Sequence, residues 1–175
     1  MKVNDFRADL SFSLSQSAEP FWEFTYRAFF DGFQKMQSTG DDMAMQRAGI
    51  DRVVYLSSGQ RVKIDEKIRR EAYPDILIEH LSNDKTGALG WIFKPLAIDF
   101  LAYAFLPTRK VYMLDWHALK RAWKTNGEAW KAKYKTVSAR NSGYNTISTA
   151  IPTDVLCSAM VVSSIVSVSP EIPTP

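Results

Sequence analysis

The sequence predicts an α/β protein in which a mixed β-sheet is flanked by helices. Two β-rich runs, 50–56 and 61–68, stand on either side of Ser57-Ser58-Gly59-Gln60, the pattern of a β-hairpin. Further strand-like runs follow at 75–81, 96–106 and 110–114. Around them lie stretches with apolar residues at helical spacing, notably 20–33 and 116–134.

Taken in order, residues 1–17 are polar and mixed and read as an N-terminal arm or short edge strand. Ser17-Ala18-Glu19-Pro20 opens a helix, with Pro20 in its first turn. Phe21, Phe24, Ala28 and Phe29 recur along one face, and Trp22, Tyr26, Phe30 and Phe33 widen the arc that is expected to be buried. Asp41 and Asp42 precede a short helical run, with Asp residues there reading as caps, and Gly49 ends it.

The hairpin is the informative stretch. In its second run Val62, Ile64 and Ile68 share one face, interrupted by Glu66, while Arg61, Lys63, Asp65, Lys67 and Arg69 share the other. Matching Val54 and Leu56 to Ile64 and Val62 buries all four and leaves a three-residue loop, Ser58 to Gln60. That register sets Asp51 opposite Lys67 and diagonal to Asp65, so two carboxylates and an ammonium converge. Two adjacent carboxylates repel unless a cation lies between them, and hard oxygen ligands suit Mg²⁺ or Mn²⁺. A solvated strand face with an ordinary Asp–Lys pair accounts for the same residues more simply.

Asp51, followed by Asp65-Glu66-Lys67, resembles the motif of the PD-(D/E)XK nuclease superfamily, over roughly residues 20 to 115. Isoleucine rather than proline precedes Asp51, and Asp65 stands where glutamate is commoner, which leaves Glu66 as a rival acid. The resemblance implies a restriction-endonuclease-like core and Mg²⁺-dependent (or Mn²⁺-dependent) hydrolysis of DNA phosphodiesters, leaving a 5′-phosphate. It implies Asp51 and Asp65 as metal ligands with the backbone carbonyl of Glu66, and Lys67 as the residue that positions water or stabilises developing charge. It also implies a glutamate from the preceding helix, here Glu23, which by itself reads as a solvated helical residue. Glu79, on the strand expected beside the hairpin, is a further candidate acid or a partner of Arg69 or Arg70.

Pro74 breaks the chain before the strand Asp75–Leu81, on which His80 points away from Glu79 by alternation. Gly90-Trp91-Ile92-Phe93 reads as a short strand or strap, with Trp91 either core or a base-stacking residue. Leu96–Leu106 is apolar on both faces apart from Asp99, which needs a partner. Asp115 is expected to cap a helix striped by Trp116, Leu119 and Trp123, with a break at Asn126-Gly127. Lys120, Arg121, Lys124, Lys131 and Lys133, interleaved with aromatics, suit a DNA backbone; a solvated helix face is the alternative. Ile151-Pro152-Thr153 fits an edge strand or loop, Val161–Val168 a small strand or partner-binding segment, and 169–175 a disordered tail.

At 175 residues, 46% hydrophobic and 13% aromatic, the chain is expected to form one globular domain over 1–168. A net charge of +3 neither requires nor excludes nucleic acid. The single cysteine excludes an internal disulfide and fits a reducing, cytoplasmic setting. The start of the chain lacks the apolar core of a secretory leader, and no apolar run reaches membrane-spanning length. With two histidines, no G-x-S-x-G, no phosphate-loop motif and no zinc spacing, hydrolysis by an activated serine or cysteine has little support. A homodimer is compatible with duplex cleavage. The competing expectation is a catalytically inactive nucleic-acid-binding or protein-interaction module of the same fold.

Overall fold

The computed structural model describes residues 20–160 and the backbone of 167–168, so the N-terminal arm, most of the segment 161–168 and the tail lie outside the described residues. Along the chain come α1 (Pro20–Phe29), β1 (Phe33–Ser38), α2 (Met43–Arg47), β2 (Arg52–Leu56), β3 (Arg61–Arg69), β4 (Asp75–Asn83) and β5 (Ala88–Leu89). A 3-10 turn at Trp91–Phe93 leads to β6 (Phe100–Phe105), β7 (Lys110–Asp115), α3 (Trp116–Lys133), β8 (Thr136–Arg140), β9 (Asn145–Pro152), α4 (Thr153–Ala159) and β10 (Ser167–Val168). The protein is mixed α/β. Its described residues gather into two compact units, each assembled from separated segments.

The hairpin unit (20–72, 96–116 and 167–168) holds a mixed sheet ordered β1-β2-β3-β6-β7-β10. β3 and β6 run parallel and the other neighbours antiparallel. β6 is buried from Leu101 to Phe105, as expected for an apolar strand with neighbours on both edges. Asp99 finds its partner at the strand's entry: Oδ2 accepts from the Lys63 N–H at 2.7 Å, and the Asp99 N–H donates to the Lys63 carbonyl. α1 lays Trp22 and Tyr26, both fully buried, against Val54, Val62, Ile64, Ala102, Ala104, Val111 and Met113. Each of those large side chains contributes about 1.5–3 kcal/mol of burial, so this aromatic face is what fixes the helix to the sheet.

Two expectations change here. The aromatic run does not stay helical to Phe33: α1 ends at Phe29, and 33–38 form an edge strand whose side chains are half-buried or exposed, a pattern too polar to read as a strand. The hairpin register also differs. Arg52 pairs with Ile64 and Val54 with Val62, two residues from the register that pairs Val54 with Ile64. An even shift keeps every side chain on its expected face, so apolar matching alone does not choose between them. The turn chooses. The Leu56 N–H donates to the Gln60 carbonyl, leaving Ser57, Ser58 and Gly59 as the loop, and Gly59 has φ +85° in its third position. A left-handed residue ending a three-residue loop is where glycine is wanted.

The helix unit (73–95 and 117–160) is built on an antiparallel sheet ordered β5-β4-β9-β8. β4 therefore belongs to this sheet and does not pair with the hairpin. β9 lies between β4 and β8, not at an edge, and Pro152 is tolerated because it is the strand's last residue. Residues 91–93 form a 3-10 turn rather than a strand, with Trp91 buried in the core. α3 runs unbroken through Asn126-Gly127: the Asn126 amide donates to the Ala122 carbonyl at 3.0 Å, and Gly127 lies against the Trp123 indole. A helix with a packed tryptophan at that turn does not need the strongest helix formers.

Gly59→Ala should lower stability by about 1–2 kcal/mol, the left-handed backbone cost alone, because nothing lies within 4 Å of the added Cβ. Gly49→Ala should cost more, since φ is +76° and its Cβ would come 2.6 Å from a Leu96 methyl. Urea unfolding of both variants checks the order.

Candidate metal and catalytic centre

Strand alternation divides the motif between the two faces of the sheet. Ile64 and Glu66 face α1 with Arg52, Val54 and Val62, whereas Asp65 and Lys67 project from the other face. The chain enters β2 through Ile50-Asp51, where the Asp51 N–H donates to the Ile64 carbonyl at 2.9 Å. From there Asp51 Oδ2 accepts the Glu66 backbone N–H at 2.9 Å. β2 thus stops short, and Asp51 takes over the edge of β3 that its strand would have covered.

On this side the Asp51 carboxylate is close enough for Asp65 to feel its charge. Asp65 is only 4% exposed. Burial, opposed by the Lys67 ammonium but reinforced by the Asp51 carboxylate, raises its pKa to about 7. Lys67 Nζ meets Asp65 Oδ1 at 2.5 Å. The structure therefore brings Asp51, Asp65 and Lys67 together, but with Lys67 on Asp65 along the same strand. It is not level with Asp51, as the expected register had it. Farther along β3, Arg69 reaches the Tyr103 hydroxyl at 3.4 Å.

Glu66 is resolved as well. Its carboxylate is buried on the opposite face, where Arg52 binds it through Nε at 3.0 Å and Nη2 at 3.2 Å. The Tyr26 hydroxyl donates to the same carboxylate at 2.7 Å. Burial pushes this carboxyl up and Arg52 and Tyr26 hold it down; burial and the nearby charge keep the Tyr26 phenol well above its ordinary value, hence a donor. The Glu66 side chain is not a rival to Asp65. Only its backbone remains available to the acid pair, and within a strand its carbonyl points to the same side as the N–H that Asp51 binds.

The remaining candidates stand apart from this pair. Glu23 is an exposed residue of α1, ion-paired with Arg27 at 2.8 Å, on a helix that covers the Glu66 face. Glu79 lies on β4 in the helix unit's sheet. Lys120, Arg121, Lys124, Lys131 and Lys133 all lie on α3, with Arg121, Lys124 and Lys133 exposed and Lys131 held by Glu128 at 2.6 Å. Arg52 and Tyr26 escaped sequence reasoning. The available signal was an arginine and a glutamate both falling on the apolar face of one hairpin.

The donor set fits Mg²⁺ or Mn²⁺ better than a cation that needs a full protein cage. Among the described residues no three His, Cys, Asp or Glu side chains gather at one point. Two carboxylates with a backbone oxygen leave most of the coordination sphere to water and phosphate, which is how Mg²⁺ is usually held. The raised Asp65 pKa is chiefly the cost of burying a carboxylate, with the Lys67 ammonium opposing it and the Asp51 carboxylate adding to it.

At the level the structure defines, this is an α/β protein whose mixed sheet carries a buried aspartate, Asp65, beside the half-buried Asp51 and an adjacent lysine. No family model, no curated protein and no solved structure matches the chain. No helix among the described residues is long and apolar enough to cross a membrane.

Because the folded state raises the Asp65 carboxyl from 3.8 to about 7, it keeps a proton that the unfolded chain has already lost between those values. The stability this gives is complete below pH 4 and is lost as pH rises through 7. Asp65→Asn should therefore stabilise the metal-free protein at pH 8 by roughly 2–4 kcal/mol and do little at pH 4. Urea midpoints in a chelator at the two pH values measure it, and equal effects at both would contradict the assignment. Arg52→Met should destabilise by about 3–5 kcal/mol by stranding a buried carboxylate. The double variant Arg52→Met/Glu66→Leu should recover part of that loss in the same assay.

Proposed function

We propose that this chain is a Mg²⁺-dependent (or Mn²⁺-dependent) deoxyribonuclease with a restriction-endonuclease-like core. The observation that carries the reading is the convergence of Asp51, Asp65 and Lys67 beside the Glu66 backbone on one side of a hairpin, where Lys67 touches Asp65 at 2.5 Å. Asp51, held by the Glu66 backbone N–H, and Asp65, held by Lys67, are positioned before any ligand arrives, with the buried Arg52–Glu66 pair bracing the reverse face.

In this reading Asp51 and Asp65 hold the cation, with the Glu66 carbonyl as an additional oxygen. The cation supplies Lewis acidity toward a phosphate oxygen and a lowered pKa for bound water. Lys67 exchanges its contact with Asp65 for one with the scissile phosphate or the attacking water, placing a positive charge where negative charge develops. Arg52 and Tyr26 hold Glu66 and, through its backbone N–H, the Asp51 carboxylate. The exposed cations of α3 support DNA as the substrate, since phosphate contacts supply most sequence-independent affinity. The same cations support the alternative of a binding module without catalysis.

Cleavage of plasmid and branched DNA with Mg²⁺ or Mn²⁺ separates the two. Asp51→Ala and Asp65→Ala should reduce cleavage to background, and Lys67→Ala by about 10²–10³-fold. Glu23→Gln should cut like the wild type, because Glu23 pairs with Arg27 and not with the acid pair. Full activity in any two of the first three variants would end the nuclease reading, whereas salt-sensitive binding with no metal-dependent cutting would favour the binding module.

A further inference from the structure

Within the helix unit a groove of about 580 Å³ runs between the 3-10 turn at Trp91–Phe93 and the first turns of α3. Its size falls in the range of about 300–1,000 Å³ typical of small-molecule sites. Ile92 and Trp123, 1% and 5% exposed, belong to its apolar lining. Gly127 adds no side chain, and a Cβ there would approach the Trp123 indole at 3.0 Å. Phe93 is the exception in this lining: it is 43% exposed, with its ring edge-on to Trp123 at 6.2 Å and 77°.

The polar lining comprises His117, three cationic side chains and one acid. Lys120, Arg121 and Lys124 line the groove along α3, and the one acid there, Glu128, is bound to Lys131 at 2.6 Å. An aromatic ring facing solvent beside an apolar surface, bordered by cations, is complementary to a flat apolar ring attached to an anion. A duplex buries the faces of its bases in its own stack and offers such a ring nothing. A single strand offers a base face and a phosphate together. With the nucleic-acid reading above as its basis, we infer that this groove binds single-stranded DNA. One unstacked base lies on Phe93, and the flanking phosphates meet Lys120, Arg121 and Lys124.

The test is fluorescence anisotropy of the full chain in a chelator, with an oligo(dT) of about 12 nucleotides and a duplex of equal length. Oligo(dT) should bind more tightly than the duplex. Phe93→Ala should weaken oligo(dT) binding about five- to a hundredfold, the cost of one lost base stack, without changing duplex binding or the salt slope. Phe93→Leu keeps apolar bulk without an aromatic face and should show the same selective loss, whereas Phe93→Trp should retain affinity. Arg121→Ala with Lys124→Ala should weaken both ligands and flatten the salt dependence by about one per phosphate contact. Unchanged oligo(dT) binding in Phe93→Ala and Phe93→Leu, equal losses on both DNAs, or displacement of oligo(dT) by polyglutamate at equal charge would overturn the inference. Because no cleavage is read, these outcomes leave the aspartate-centred reading standing, and inactive aspartate variants that still bind oligo(dT) leave the groove standing.

Discussion

The buried pairing of Arg52 with Glu66 is the interaction around which the hairpin is built. It joins β2 to β3 at the point where their ladder ends and ties both to α1 through the Tyr26 hydroxyl. An ion pair of this kind contributes little net stability once desolvation is counted, but neither charge is tolerable without the other. Its value lies in fixing position. Arg52 adjoins Asp51 and Glu66 stands between Asp65 and Lys67, so the residues of the buried ion pair and those of the aspartate cluster alternate along the same two strands.

That alternation separates two electrostatic tasks across the thickness of one sheet. On the α1 face, one carboxylate is satisfied by a guanidinium and a phenol. On the other, Asp65 meets the Lys67 ammonium with the Asp51 carboxylate nearby, and burial raises Asp65 to about 7. Arg52 serves the carboxylate of the α1 face and Lys67 that of Asp65. The Glu66 backbone lies beside the two aspartates, with its N–H donating to Asp51 at 2.9 Å.

The helix unit carries a different kind of chemistry. Its α3 helix buries Leu119, Trp123 and Trp130 and turns Arg121, Lys124 and Lys133 to solvent. Long cationic side chains on an amphipathic helix are compatible with a simple solvated face. The Phe93 ring, 43% exposed and edge-on to Trp123, adds an aromatic face beside those cations. His80 stacks on the hidden side of the same arrangement, 5.9 Å from Trp123, where burial lowers its pKa and favours the neutral ring.

Much of this was legible from residue order alone. The alternation of Val62, Ile64 and Glu66 with Asp65 and Lys67 determines which side chains share a face, because the period of a strand is two whatever its partners. It determined a hairpin, its two faces, the capping role of Asp42 and the amphipathic character of α1 and α3. Tertiary structure decided what periodicity leaves open. An even register shift preserves every face, so the geometry of the Ser57–Gly59 loop had to choose it. The membership of β4 in a separate sheet depends on pairing with β9, a partner some seventy residues away, and no local pattern encodes such a choice. The fate of the Glu66 carboxylate was likewise set by Arg52 and Tyr26 arriving from β2 and α1, since a buried charge is made tolerable only by groups the fold brings to it.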